Sequence, residues 1–303
     1  MKNKITNYII STLIFILTIY FFANSSNTIN LFINISKQII YVIIPSLFPF
    51  MIFVNFILYS NTIDYISYLF SKIFKFLNIS GYGISCIIAS IIGGYPYGSI
   101  LLTTFVKENK ITKREAEKLL YTTFFPSISF IIVSLINKNI MSLYIIISIY
   151  IASLIILLLQ KKQSIPQNKL IINNNITNTY YKVMNSTITS TISIYFSILF
   201  FSLISNIFVN NIKNKYIKYL LSGIFEFSLS SISILNDINL NFLSYLILTF
   251  ILSFSSLSII FQSFYYLKEI NITIKKLLSS RITISLLSCL IFTLIYFLVK
   301  TLT

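Results

Sequence analysis

Six stretches of the chain are apolar over a length that crosses a bilayer: residues 7–23, 39–59, 140–159, 186–209, 217–236 and 282–299. A transmembrane helix needs roughly 20 such residues, so each stretch predicts one span. Three more are apolar but interrupted: 82–106 by glycines and a proline, 119–136 by Pro126, and 242–267 by the serine cluster "SFSSLS". Between 61 and 79, "NTIDYISYLFSKIFKFLNI" sets apolar and basic positions at helical spacing and predicts a helix lying in the membrane interface. The segment 160–182, "QKKQSIPQNKLIINNNITNTYYK", is the one long polar break. It divides a single membrane domain, residues 1–303, into a first half, 1–159, and a second half, 183–303. The pattern predicts an all-α, polytopic transmembrane helical bundle of roughly eight spans. The opening "MKNKITNYIISTLIFILTIYFFANSS" has the basic and apolar regions of a signal peptide but no small-x-small site, and reads as a retained first transmembrane helix.

The run "SIIGGYPYGSILLTTF", residues 90–105, puts three glycines and a proline inside an apolar stretch. These residues break helices, because glycine loses backbone entropy and proline lacks a donor. In hydrocarbon, irregular backbone is tolerated only against protein or a water-filled cavity. The stretch therefore predicts a broken helix lining a cavity, with free N–H groups and a helix N-terminus suited to a carboxylate or phosphate. A surface turn, a plain kink or a close helix–helix contact through glycine would need no ligand.

"LLTTFVKENKIT" (101–112) and "IIFQSFYYLKEINIT" (259–273) share Lys107, Glu108, Ile111 and Thr112 against Lys268, Glu269, Ile272 and Thr273 at one spacing. A cluster of small residues lies upstream of both, GGYPYGS in one and SFSSLS in the other. Two related halves with discontinuous, broken or re-entrant helices match the organisation of transporters whose site forms where such helices meet. Basic residues flank the spans on both faces, which leaves parallel and inverted symmetry equally open.

Composition agrees with the pattern. The chain is 56% hydrophobic and only 10% charged, with a mean hydropathy of +0.86, where soluble domains run near a quarter charged. Its favoured residues, Ile, Asn, Lys, Tyr and Phe, share AT-rich codons, so part of the Lys and Asn content reflects codon bias. The net charge of +16 sits largely in loops, where it orients spans and meets anionic headgroups; no nucleic-acid motif accompanies it. The absence of histidine removes His-based zinc, haem and general-base chemistry, and seven acids supply hydrolysis poorly. Neither an enzyme nor a metal or cofactor site is expected. Cys86 and Cys289 lie in apolar runs and suggest no disulfide framework.

Thr112 to Glu115 form a capping box that opens a short charged helix, expected to be a solvated loop helix. Glu226, in "LLSGIFEFSLSS", falls inside a predicted span, where an acid is costly and usually faces a pathway. It could take a proton, hold a cation or pair with Lys218; a shallow span would instead leave it near the interface. Tyr95 and Tyr97 could stack on an aromatic substrate, or simply pack.

Taken together, "IIPSLFPFMIFVNFIL" (43–58), "GGYPYGS" (93–99), "KITKREAEKLL" (110–120), "GIFEFSLSS" (223–231) and "FSSLSIIFQ" (254–262) resemble, in order and spacing, the YlbJ (SpoVV) family of sporulation integral membrane proteins, which contain a nucleoside-recognition or Gate domain. The resemblance covers most of residues 40–282. It implies a transporter that moves dipicolinic acid, a planar pyridine dicarboxylate, across the outer forespore membrane of a spore-forming bacterium. Its implied partners are this small anion and the lipid bilayer, with homo-oligomers or other sporulation membrane proteins beyond them. A nucleoside or nucleobase carrier and a non-transporting assembly factor are the rival readings. Gly94, Tyr95, Pro96 and Gly98 match the family's Gly-Tyr/Phe-Pro-x-Gly, and Glu226 matches its acid. The chain departs at Ser99-Ile100, where the family has Ala-Lys. It departs again at Thr122–Phe125, where the family has Asn-x-Ser-Gly before Pro126, and at Ser256, where it has glycine.

The expected substrate site has Gly93, Gly94, Tyr95, Pro96, Gly98, Ser99, Thr122, Thr123 and Pro126 on one side. Ser255, Ser256, Ser258 and Gln262, within or just after 253–258, form the other, with Glu226 as a coupling or structural acid.

Overall fold

The computed structural model describes residues 2–60, 62–73, 77–160, 177–237 and 240–302, and all regular structure among them is helical. Five helical runs are long and apolar enough to cross a membrane: Ser25–Tyr59, Met141–Leu159, Thr179–Val209, Phe242–Ile270 and Ile274–Thr301. The chain is thus a multi-pass, all-α membrane protein. Residues 161–176 of the polar connector lie outside the described residues.

Helix α1 (Lys2–Ala23) bends at Asn24 into α2 (Ser25–Gln38), which runs through a π turn at Ile39–Ile43 into α3 (Ile44–Tyr59). Pro45, at the start of α3, has no N–H to donate back to the previous turn, and the wider π register precedes it. After α4 (Thr62–Ile73) come α5 (Gly81–Gly93) and α6 (Tyr95–Lys107). These two are the arms of one hairpin. Tyr82 near its mouth meets the Phe105 ring at 5.2 Å, and Lys110 lies 5.0 Å above the Tyr82 ring. Each arm has 13 residues, about 20 Å, too short for a bilayer core of about 30 Å. The hairpin enters from the end of the bundle that holds Tyr59 and returns to it.

Helix α7 (Lys113–Leu119) then leads inward, residues 120–127 run without regular helix, and α8 (Ile128–Phe130) continues as a π turn, Ile131–Ile136, to the opposite end. Lys138 donating to Asn236 at 2.6 Å and Asn139 donating to Tyr245 at 3.0 Å mark that end. The expected solvated helix is instead packed: Glu115 and Lys118 are buried, and the Glu115 carboxylate accepts the Ser80 N–H at 2.6 Å, holding the start of α5. The Thr112 cap itself is present at 3.1 Å. Helix α9 (Met141–Leu159) crosses back.

The second half begins with α10 (Thr177–Val209), antiparallel to α3. Thr179 donates to the Tyr59 carbonyl at one end, and Ser36 meets Tyr195 at 2.9 Å further along. The stretch 217–236, expected to be a span, is a second re-entrant hairpin, α11 (Lys215–Phe225) and α12 (Phe227–Leu235). Lys215 pairs with Asp237 at 3.0 Å across its mouth, and Ser222 meets Ser230 at 3.0 Å between the arms. Eleven and nine residues reach about 14–17 Å, so neither arm can cross. It opens at the end opposite to the first hairpin. Next, α13 (Phe242–Phe254) and α14 (Ser256–Leu267) form one crossing broken at Ser255, and α15 (Ile274–Leu302) returns.

Each half therefore contains a long helix, a re-entrant hairpin, a crossing broken in its middle, and a final span, with the hairpins entering from opposite ends. The residue match 101–112/259–273 does not follow this order. Lys107–Thr112 join a hairpin arm to a broken crossing, whereas Lys268–Thr273 join a broken crossing to a final span. The two loops nevertheless meet, through the Lys107–Glu269 pair at 2.5 Å.

Candidate functional site

Four interruptions converge at the centre of the bundle. The first hairpin turns at Gly94, whose φ of +88° suits glycine and closes α5 without a left-handed side chain. The glycine leans on the unwound segment of α7–α8: a Cβ there would meet Ser127 at 3.3 Å. Gly98, one turn on, lies so close to the same segment that an added Cβ would sit 2.0 Å from the Thr123 carbonyl oxygen. The second hairpin turns at Glu226 in an extended conformation. Its Gly223 presses on α13, where a Cβ would fall 2.2 Å from Ile251 Cδ1.

The two tips touch. Tyr95 and Phe227 are each the first residue after their break, and their rings meet edge to face at 4.7 Å. Tyr95 Oη donates to the Leu252 carbonyl at 2.6 Å, joining the first hairpin to the broken crossing of the second half. Between the tips lies a narrow pocket of about 30 Å³, lined by Gly93–Pro96, Ser127, Phe130, Phe227 and Ser228, with isoleucines of α10 and α14. That space holds about one or two waters, far less than a pyridine dicarboxylate.

Glu226 precedes Phe227 and Ser228 of this pocket in the chain but does not itself line it. Its carboxylate is almost fully buried and caps α12, accepting the Ser228 N–H at 2.9 Å, the Ser228 hydroxyl at 2.7 Å and the Leu229 N–H at 2.8 Å. It also borders a cleft of about 400 Å³ between α2, α10, α11 and α12, lined by Gln38, Asn206, Lys218, Tyr219 and Ser230 among others. Lys218 makes no ion pair with Glu226 among the described residues. The acid is therefore satisfied by its own helix, and not by a basic partner.

The expected site residues divide accordingly. Gly93, Gly94, Tyr95 and Pro96 line the cavity, while Gly98 provides the close approach beside it. The Ser99 hydroxyl returns to the Pro96 carbonyl at 2.8 Å. Thr122 and Thr123 donate to the Leu119 carbonyl, closing α7, and Pro126 is buried in the unwound segment. Ser255 and Ser256 both adopt left-handed backbone, with φ of 73° and 54°. Ser256 Oγ and both polar atoms of Gln262 are buried without a hydrogen-bond partner. Ser258 faces Ser197 at 3.5 Å. Gln262 and Ser258 belong to the α14 side of the bundle and do not line the cavity.

Two central residues escaped the sequence reading. Asn55 in α3 is buried and donates to Tyr97 at 2.8 Å and Thr187 at 2.9 Å, tying the first hairpin to α10. Arg281 in α15 is wholly buried; its guanidinium stacks 4.7 Å over the Phe124 ring and donates to the Leu120 and Phe124 carbonyls. An arginine within an apolar run is a visible signal, but its partners lie on another element, about 160 residues away.

Among the described residues no cluster of metal-ligating side chains occurs, and both cysteines are free. Comparison with family models, with curated proteins and with solved structures returned no match to this chain.

Proposed function

We propose that this protein is a membrane carrier that moves a small aromatic anion by alternating access, and that dipicolinic acid crossing the outer forespore membrane is its substrate. The observation that carries the reading is the narrow pocket between two opposed hairpin tips, with one turn giving Phe227 and Ser228 to that pocket and Glu226, Leu229 and Ser230 to a wider cleft. A carrier needs a central site that one side reaches while the other is shut, and broken helices are the usual way to build it. The repeated order of elements supports reading the halves as inverted repeats. The Tyr95–Phe227 contact is then a contact of equivalent positions across a pseudo-two-fold axis.

Anion preference is supported by the helix ends. α12 and α8 have their N-termini capped by Glu226 and Ser127, whereas α6 and α14 carry no side-chain cap. Uncapped N-termini at a buried site favour negative charge. The identity of the anion rests on the ordered resemblance to the dipicolinate-moving family. Because the cavity is smaller than dipicolinate, the structure corresponds to a contracted state, and loading requires the hairpin tips to part.

The test is uptake of labelled dipicolinate into liposomes holding the purified protein, with a nucleoside as comparison. Saturable dipicolinate uptake indifferent to the nucleoside is expected. Nucleoside uptake alone would keep the carrier and overturn the substrate. Uptake of neither by folded protein would favour the assembly-factor reading.

A further inference from the structure

We propose that Arg281 is the anion-recognising residue of the central site, its guanidinium resting on the Leu120 and Phe124 carbonyls in this closed state and turning to a substrate carboxylate when the site fills. The inference rests on the carrier reading above and goes beyond it by assigning the charge.

Arg281 is 0% exposed and lies eight residues beyond Thr273, about 12 Å into α15. Its contacts are neutral oxygens. Nε donates to Ser280 at 3.3 Å, one terminal nitrogen donates to the Phe124 carbonyl at 3.5 Å, and the other to the Leu120 carbonyl. No carboxylate pairs with it among the described residues, whereas Lys107, Lys110, Lys215 and Lys276 all have acidic partners. A buried cation without a counter-charge is costly, and inside a membrane protein such residues mark pathways and ligand sites.

The surroundings suit a planar anion. The guanidinium uses three of its five N–H groups, and its fork matches a carboxylate bidentately. The Phe124 ring beneath it belongs to the unwound segment, whose neighbour Ser127 lines the cavity. The 3.5 Å bond to Phe124 is long for its kind and easily exchanged for a charged acceptor. The carbonyls of residues 120–124 are free to accept because the helix is broken there, so the same break that opens the crossing also holds the cation in readiness.

Binding of dipicolinate and of its neutral diamide, pyridine-2,6-dicarboxamide, to the full-length protein in detergent tests this. Wild type is expected to prefer the dicarboxylate. Arg281→Met should weaken dipicolinate roughly 10- to 100-fold, the loss of a charged hydrogen-bonding partner, and leave the diamide within about threefold. Unchanged dipicolinate affinity in folded Arg281→Met protein would overturn the assignment while leaving the carrier reading intact. Absence of dipicolinate binding in wild type would overturn the assignment together with the dipicolinate substrate, and the nucleoside uptake comparison then decides the carrier reading. Should Arg281→Met fail to fold, Arg281→Lys carries the test: it keeps the charge, loses the fork and should weaken dipicolinate about tenfold. Wild-type affinity in Arg281→Lys overturns the proposal.

Discussion

At Gly98 a single added carbon would meet the Thr123 carbonyl oxygen at 2.0 Å, and the obstacle is backbone, not a side chain that could swing away. Gly98→Val should therefore push the first hairpin off the unwound segment. The expected outcome is membrane-inserted protein with uptake reduced at least about tenfold and stability lowered by about 1–3 kcal/mol, read from liposome flux and thermal unfolding in detergent. Uptake at the wild-type level would remove Gly98 from the site. The opposite sign is expected at Ser256. Its left-handed backbone costs a residue with a Cβ about 1–2 kcal/mol, and its hydroxyl makes no hydrogen bond in return. Ser256→Gly should raise stability by up to about 1 kcal/mol once the greater freedom of unfolded glycine is deducted; a lower melting temperature would show that the serine hydroxyl matters more than the strain.

Among elements, the second hairpin departs furthest from what its hydropathy implies. Residues 217–236 are apolar enough to span, yet the chain turns at Glu226, whose buried carboxylate satisfies the first N–H groups of α12. The Lys215–Asp237 pair and the Tyr219–Asp237 hydrogen bond at 2.8 Å then close the mouth. Glu226→Ala should release those N–H groups, costing about 1–2 kcal/mol. Faster hydrogen exchange confined to the Ser228 and Leu229 amides and the first turn of α12 is the expected readout. Uniform exchange across the bundle would mean that the hairpin is held from its mouth and not its tip.

For the molecule as a whole, the hairpins opening at opposite ends make a topological prediction. Single cysteines placed at Asn109, beside the mouth of the first hairpin, and at Asn214, beside that of the second, in a background lacking Cys86 and Cys289, should label with a membrane-impermeant maleimide from opposite sides. Labelling of both from one side would refute the inverted arrangement. The same geometry explains why loops with shared residues, 107–112 and 268–273, lie together without being equivalent. Both return to the end of the bundle that holds Tyr59, one after a hairpin arm and the other after a full crossing.

Hydrophobic periodicity and composition determined the environment, the helical class and the positions of the interruptions at Gly93–Gly98, Pro126 and Ser253–Ser258, because each is a local property: transfer of apolar length into lipid, and the backbone limits of glycine and proline. Whether an interruption becomes a crossing or a turn back was decided by tertiary structure. Hydropathy measures length and polarity but not direction, so 217–236 read as a span, and α7 read as a solvated helix although Glu115 is buried against the start of α5. Arg281 and Asn55 show the same divide. Each is an ordinary polar residue in an apolar run until the fold brings Leu120 and Phe124 to the first, and Tyr97 and Thr187 to the second, across separations that no local pattern encodes.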